Sequence, residues 1–266
     1  MTMMKTETSS ADAGRGADLA GEGQQFRLVL ATDLDGTFLG GTETERRTLY
    51  EAISSREDVL LIFVTGRDVD FIRELIAQPG MPRPRYIVGD VGTSVYDVDA
   101  GFQPVASLEA EIAALWDDAN DRVMEMLAGE PGLQLQPTPF RHRVSYYYKP
   151  DELRSETRSK VEAAGFDCLT SADLYFDVLP RGVAKGPTLR RMVDALNLPP
   201  DRVLVAGDTM NDLSMFQTGF KGVAVGNSEP RLIEALPDGP HVYRSPHHGA
   251  AGVLDAIFHF QLGDAA

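Results

Sequence analysis

Short apolar runs alternate with amphipathic segments along most of this chain, and that rhythm admits few folds. Strands read at 27–32, 59–64 and 86–88, built on apolar runs such as Leu28-Val29-Leu30, are separated by segments of helical period at 44–55 and 68–77. The same rhythm returns late in the chain. Helix 185–196, strand 202–206, helix 211–217 and strand 222–225 are followed by helical segments at 229–236 and 249–260. Strands this short and this uniformly apolar are buried on both faces, which requires a parallel sheet with helices on either side. The expected class is therefore α/β.

The middle of the chain has a different pattern. Residues 108–127 read as one long amphipathic helix, with Ile112, Leu115, Trp116, Ala119, Val123, Met126 and Leu127 at helical spacing. Strands are predicted at 133–136 and 144–148, a helix at 151–164, and strands at 166–169 and 174–178. This αββαββ order describes a small α+β layer inserted between two halves of the parallel sheet. The expected domains are a core of residues 26–107 and 182–266, and an insert of residues 108–181. Residues 1–25 are rich in Gly, Ala and Ser and lack the apolar stretch of a signal peptide, so they read as a disordered tail.

The totals exclude some functions. Of 266 residues 43% are hydrophobic, enough for a sizeable core, and the formal net charge is −15. An acidic surface disfavours nucleic acid and anionic membranes as partners. It does not disfavour an anionic substrate, because a metal ion or a local lysine can reverse the field inside one cleft. The single cysteine, Cys168, rules out an intrachain disulfide and suits a reducing compartment. The apolar run at 59–64 falls far short of the roughly 20 residues that span a bilayer. A cytoplasmic protein is expected.

Ligands of open parallel sheets bind at the carboxyl ends of the strands. Asp33, Asp35, Gly36 and Thr37 follow the first strand, and Thr65, Gly66 and Arg67 the second. Gly207, Asp208, Thr209, Asn211 and Asp212 follow the strand at 202–206, and Lys185 opens the helix after the insert. Several carboxylates with one lysine suit a hard divalent cation and an anionic group. Mg²⁺ takes a few carboxylates and keeps water or phosphate as its other ligands. Asp33 and Asp208 would be ligands, with Asp212 bound directly or one step behind. Thr65 offers a hydroxyl at a helix N-terminus, and Lys185 a positive charge, to a phosphoryl group. An aspartate at the strand end could attack phosphorus.

Each piece alone also has an ordinary reading. Asp-x-Asp-Gly occurs in turns, and it opens calcium loops. Here Phe38 stands at the glycine position of such a loop, Thr44 at its terminal glutamate, and a strand precedes it. Asp208 and Asp212 could serve only a helix N-terminus. Thr65-Gly66-Arg67 could be a plain turn and Lys185 a solvated lysine. The joint order at strand ends argues against all of these together.

Asp33-Leu34-Asp35-Gly36-Thr37, Thr65 after an apolar strand, Lys185, and Gly207-Asp208-x-x-Asn211-Asp212 together resemble the haloacid dehalogenase superfamily of phosphatases. The resemblance runs from Arg27 onward. It implies a Rossmann-like core, an inserted α/β cap and Mg²⁺-dependent hydrolysis. By position it makes Asp33 the nucleophile and a metal ligand. Asp35 becomes the general acid and then base, with its main-chain carbonyl on the metal. Thr65 and Lys185 hold phosphate, Asp208 and Asp212 position the metal, and Asn211 supports the phosphate and the lysine.

Within the superfamily, Gly89-Asp90-Val91-Gly92-Thr93-Ser94-Val95-Tyr96, Arg143-Val144-Ser145-Tyr146, Asp177-Val178-Leu179-Pro180 and Ser245-Pro246-His247-His248-Gly249 resemble sucrose-phosphate and mannosylfructose-phosphate phosphatases. Arg181-Gly182-Val183-Ala184 is closer to the general cap subclass. The expected substrate is a disaccharide phosphate. A general sugar phosphate or glucosylglycerol phosphate is the alternative, and a phosphomutase or a non-catalytic sugar-phosphate-binding module is the rival. A glycosyltransferase (synthase) is a candidate partner, and a monomer is compatible with the chain.

Further candidates lie outside these motifs. Gly66 and Arg67 would join Thr65 around substrate, Arg67 alternatively serving the surface or a salt bridge. Tyr146 and Tyr148 share one side of a strand, facing either a sugar or a half-buried sheet face. Asp173 and Asp177 could accept sugar hydroxyls, Asp173 alternatively serving a turn. His247 and His248 are expected to cap the helix they precede, with a role in the site as the alternative, and Trp116 to lie in a core.

Overall fold

The structure, a computed structural model, describes residues 25–263. The tail expected over 1–25 lies outside these residues except for its last position.

The larger sheet has eight strands: β1 (Leu28–Thr32), β2 (Val59–Val64), β3 (Tyr86–Gly89), β4 (Ser94–Asp97), β5 (Gln103–Pro104), β10 (Val203–Gly207), β11 (Lys221–Ala224) and β12 (Val242–Arg244). Their order is β12-β11-β10-β1-β2-β3-β4-β5, parallel from β12 to β3, with β4 and β5 added antiparallel at one edge. The central strand is thus β1, with β2 and β10 on either side.

Alternation along β1 explains its unbroken apolar run. Leu28 and Leu30 enter one core with Leu61, Phe63, Ile72 and Val253. Val29 and Ala31 enter the opposite core with Ile62, Val64, Leu189, Met192 and Phe216. Helices α1 (Glu43–Ser54), α2 (Val69–Ile76) and α9 (Gly249–His259) supply the first core. Helices α3 (Ala106–Trp116), α6 (Lys185–Ala195), α7 (Leu213–Phe216) and α8 (Pro230–Ala235) supply the second. Helix α1 starts on a capping box in which Thr42 and Glu45 satisfy each other's backbone N–H groups.

The smaller sheet is antiparallel, in the order β6 (Leu133–Leu135), β7 (Val144–Tyr148), β9 (Tyr175–Pro180), β8 (Phe166–Ser171). One face packs on α4 (Asn120–Met126) and α5 (Ser155–Ala163) around Trp116, Val123, Val161, Tyr146, Tyr148 and Phe176. Trp116 is core, as expected, and its indole N–H donates to Asn120 Oδ1 at 2.6 Å.

The single helix expected at 108–127 is instead two. Asp117 and Asp118 both take left-handed backbone angles (φ 52° and 47°) and end α3 before α4 begins. Aspartate tolerates that region better than most residues, and the break sends the two apolar faces apart: Leu108 and Ile112 of α3 pack in the larger sheet's core, whereas Trp116 at its end and Val123 of α4 pack on the smaller sheet. Strands β4, β5 and β12 were not expected. They have only two to four residues; β5 and β12 are the sheet's two edges, β4 lies just inside β5, and β5 contains a proline.

Candidate active site

The ends of β1, β2 and β10 meet at one edge of the larger sheet. Asp33 follows β1 and is nearly buried. The chain then leaves the strand in a tight turn. Asp35 is extended and Gly36 takes φ +82°, while Leu34 and Phe38 anchor the turn in the core. A Cβ at Gly36 would collide with the Asp208 carboxylate, so glycine is required there by both backbone angle and space. Register sets Thr32 beside both Phe63 and Ala206, which places Asp33, Thr65 and Asp208 at neighbouring strand ends.

Lys185, the first residue of α6, is fully buried at the centre of this cluster. Its Nζ donates to Asp33 Oδ1 at 2.6 Å, Asp212 Oδ1 at 2.6 Å and Asn211 Oδ1 at 2.8 Å. The other oxygen of Asp212 accepts from the backbone N–H groups of Asp208 at 2.9 Å and Thr209 at 3.0 Å. Asp212 therefore ties the β10 loop to the lysine. Asp208 Oδ1 accepts from the Thr37 hydroxyl at 2.7 Å.

One ammonium faces three buried carboxylates. Ligand oxygens of Asp33, Asp208 and Asp212 lie within 4.8 Å of one another. Burial pushes the Asp33 carboxyl well above its ordinary range; Lys185 opposes this, and Asp212 and Asp208 add to it. Burial, then the Asp212 charge, pushes Asp208 up to about 7. Burial presses the Lys185 ammonium down, but Asp212 and Asp33 outweigh it and hold the group charged. Such excess negative charge among hard oxygen donors fits a divalent cation such as Mg²⁺.

Thr65 is buried at the end of β2, and its Oγ1 accepts the Arg67 backbone N–H at 3.1 Å. Arg67 grips Asp35 with two bonds, and its guanidinium stacks over Phe71 at 4.4 Å. The expected residues therefore fall into two contacting groups. Asp33, Asp208, Asp212, Lys185 and Asn211 form the interior, and Asp35 and Arg67 form a pair at its mouth. Thr65 and Gly66 line the turn between them.

The smaller sheet decides between the two readings of its tyrosines, in favour of the sheet face. Tyr146 and Tyr148 are buried against the helices. The opposite face carries Tyr147 and Tyr175, ring centroids 6.1 Å apart, with Ser145 and Asp177. Tyr175 is near enough to act electrostatically on Arg67, and Arg143 links Asp177 to Asp90 of the larger sheet, so this face looks onto the site. Asp173 sits in the β8–β9 turn at φ 46° and pairs with Arg231 at 3.0 Å. A cleft of about 250 Å³ lies between the layers, lined by Tyr148, Thr170, Asp173, Met210, Glu229 and Arg231 among others.

His248 occupies the cap position of α9, but its side chain makes no capping bond, contrary to expectation. The α9 N–H of Gly249 instead donates to Asn227 Oδ1 at 2.8 Å. Asn227 was missed in the sequence. Its amide also donates to the Gly36 carbonyl at 3.0 Å and more weakly to Asp208 Oδ2 at 3.4 Å. It lies at the end of β11, so the strand-end rule extended by one strand finds it. Glu229 was missed too. It accepts from the backbone N–H groups of Met210 at 2.8 Å and Ala172 at 2.9 Å, joining the β10 loop to the β8–β9 turn.

Among the described residues, no helix is long and apolar enough to cross a membrane. A family model described as sucrose-6F-phosphate phosphohydrolase matches residues 26–261. A glucosylglycerol-phosphate synthase from Pseudomonas anguilliseptica is 41% identical over 88% of this chain, which spans only 31% of that protein. A mannosylfructose-phosphate phosphatase from Agrobacterium fabrum is 27% identical over 88% of this chain and 97% of its own length. The solved sucrose-phosphatase of Synechocystis sp. PCC6803, in complex with sucrose and phosphate, superposes with a TM-score of 0.80 at 26% identity, covering 89% of this chain and 98% of that one. With the parallel sheet and the buried aspartate cluster, these matches place the chain in the sucrose-6F-phosphate phosphohydrolase family, a phosphatase family of the haloacid dehalogenase superfamily.

Proposed function

We propose that the chain hydrolyses a phosphorylated glycoside by transferring its phosphoryl group first to Asp33 and then to water. The observation that carries this reading is the buried set of Asp33, Asp208 and Asp212 around Lys185. In the first step an Asp33 oxygen bonds to phosphorus as the ester P–O bond breaks. Asp35 gives its proton to the departing alkoxide. In the second step Asp35 takes a proton from water, which attacks phosphorus, releases inorganic phosphate and restores Asp33. The Thr65 hydroxyl, the turn of Gly66 and Arg67, Asn211 and Lys185 hold the phosphoryl oxygens during both transfers. Asp33 and Asp208 would hold Mg²⁺, with the Asp35 carbonyl and Asp212 completing or bracing the set. Bound there, the ion would offset negative charge on the transferring group.

Substrate choice rests on the smaller sheet, which we read as a cap. Tyr147 and Tyr175 offer aromatic faces to a sugar ring, and Ser145 and Asp177 offer polar groups. Among phosphorylated glycosides we place glucosylglycerol phosphate first and sucrose or mannosylfructose phosphate second. The 41% match lies within a protein named for making glucosylglycerol phosphate, and a phosphatase would act on what such a synthase makes. A glycosyltransferase of that type is the partner we propose.

Release of inorganic phosphate with Mg²⁺ tests this across glucosylglycerol phosphate, sucrose-6-phosphate, mannosylfructose phosphate, trehalose-6-phosphate and hexose monophosphates. A kcat/KM about tenfold or more higher for one glycoside than for the monophosphates supports the reading. Equal values leave a general sugar phosphatase. Isomerised product without free phosphate marks a mutase, and binding without turnover marks a sensor.

A further inference from the structure

Arg143 precedes β7 in the smaller sheet, yet its guanidinium reaches into the larger one. It is 6% exposed. Nη1 donates to Asp177 Oδ1 at 3.1 Å, on its own sheet. Nη2 donates to Asp90 Oδ1 at 3.1 Å and to the Gly66 carbonyl at 3.3 Å, both at the carboxyl edge of the larger sheet. Each carboxylate is held in turn. Asp177 accepts the Ser145 hydroxyl, and Asp90 accepts the Ser94 hydroxyl at 2.7 Å. The Asp90 N–H also donates to the Arg67 carbonyl at 3.1 Å.

The Gly66 carbonyl and the Arg67 N–H belong to one peptide group. A peptide is planar, so fixing its oxygen fixes the direction of its N–H. Arg143 holds the oxygen, and the N–H donates to Thr65 Oγ1 at 3.1 Å. A threonine hydroxyl that accepts such a bond has its own proton left to donate. In this turn that proton can go to a phosphoryl oxygen. Rotation of the peptide would turn the Gly66 carbonyl, an acceptor, toward the phosphate and remove the bond that orients Thr65.

We propose that Arg143 is a positioning residue for the phosphate site: from the smaller sheet it fixes the Gly66–Arg67 peptide and, through it, the Thr65 hydroxyl. Docking of the cap and assembly of the phosphate turn are then one event. The inference rests on the reading of the Thr65 turn as the phosphate-binding turn. Arg143 touches neither phosphate nor sugar in this account.

The test uses the full chain with Arg143→Lys, Thr65→Ala and the double variant. Lysine keeps a positive charge beside Asp90 and Asp177 but lacks the fork that serves both acids and the carbonyl at once. Each protein is assayed with Mg²⁺ for kcat and KM on the preferred glycoside phosphate and on p-nitrophenyl phosphate, and for inhibition by inorganic phosphate. Misplacement of a reacting group by about 1 Å costs on the order of 10²-fold. Arg143→Lys should lose kcat/KM by about that factor on both substrates and weaken phosphate inhibition, with a thermal midpoint close to that of the parent. Its effect and that of Thr65→Ala should be strongly sub-additive in the double variant.

A loss confined to the glycoside would mean that Arg143 serves the sugar and would overturn the proposal. So would additive losses, or a lowered midpoint with normal phosphate inhibition. If Thr65→Ala itself leaves phosphate inhibition and turnover unchanged, the underlying reading of the turn fails. If Thr65→Ala is damaged and Arg143→Lys is not, only the role of Arg143 fails.

Discussion

Arg67 holds Asp35 in a two-pronged ion pair, Nε to Oδ2 at 2.8 Å and Nη2 to Oδ1 at 3.0 Å, at the mouth of the site. Both side chains are about half exposed, so solvent screens the pair and it contributes only about 0–1 kcal/mol to folding. Its geometry is better suited to function. The fork that now meets a carboxylate has the right shape for a phosphoryl group, and in the proposed mechanism Asp35 would leave it to reach a departing oxygen.

Replacing Arg67 should therefore damage binding and spare the fold. For Arg67→Met the expected result is a KM raised about tenfold or more, as for loss of one charged hydrogen-bonding group, with a thermal midpoint within a few degrees of the parent. Steady-state kinetics and a melting curve check both halves. A large drop in midpoint with unchanged KM would contradict the assignment.

Substitution of Asp33 separates chemistry from architecture. Asp33→Asn keeps the shape and leaves Lys185 its bonds to Asp212 and Asn211. Turnover should fall below detection while circular dichroism and the cooperative melt persist. Hydrolysis at the parental rate would remove Asp33 as the nucleophile.

Asp208 carries a pH signature. Its pKa is about 7 in the fold against about 3.9 when free. Between those values the folded chain holds a proton that the unfolded chain has lost. Stability from this group is thus fully present below about pH 4 and is lost as pH rises through 7. Asp208→Asn removes the titration. In metal-free protein it should gain about 1–3 kcal/mol at pH 8 relative to the parent, and roughly a third of that at pH 5, where only about a third of the span between the two pKa values has been crossed, by urea unfolding at each pH. A gain of equal size at both would contradict the account.

The same proton competes with metal. In the proposed site Mg²⁺ would need the Asp208 carboxylate, so its binding would release whatever proton that group carries. Below pH 7 the apparent affinity should weaken by up to about tenfold per unit, measured by calorimetry with Mg²⁺ alone. A flat profile between pH 6 and 8 would place the ion away from Asp208.

Asn227 joins three loops, through the Gly36 carbonyl, the Asp208 carboxylate and the Gly249 N–H. Asn227→Ala leaves the last without this acceptor and the turn that carries Asp35 without a tether. A loss of roughly 1–2 kcal/mol is expected, together with a lower kcat. Unchanged values of both would reduce Asn227 to a bystander.

Much of this site was legible in the sequence because its residues sit where regular structure stops. Asp33, Thr65 and Asp208 end apolar strands, and Lys185 opens a helix, so locating the strands located the residues. Other features left no periodic mark. The apolar stripe runs straight past Asp117 and Asp118, and the break is explained only by α3 serving the larger sheet's core while α4 serves the smaller sheet's. Alternation separates Tyr147 from Tyr146 and Tyr148, but the buried face is decided by α4 and α5 from elsewhere in the chain. Asn227 acts largely on backbone atoms, and Arg143 on one acid from each sheet and a carbonyl, and such partners are set by tertiary positions that no spacing encodes.

The position of β1 also bears on how the protein is made. Its neighbour β10 is paired from Val29↔Val203 to Thr32↔Ala206, so one edge of the central strand waits for chain about 170 residues downstream. At about 5–20 residues per second, a ribosome needs roughly 10–35 s to deliver it. Throughout that interval Leu28–Thr32 offers an unpaired edge, apolar but for Thr32, on which another nascent chain could add a strand. The arrangement that gathers the acids from opposite ends of the polypeptide therefore gives synthesis a vulnerable stage, in which a chaperone or a slow-growing copy of the same protein competes for the place β10 will take.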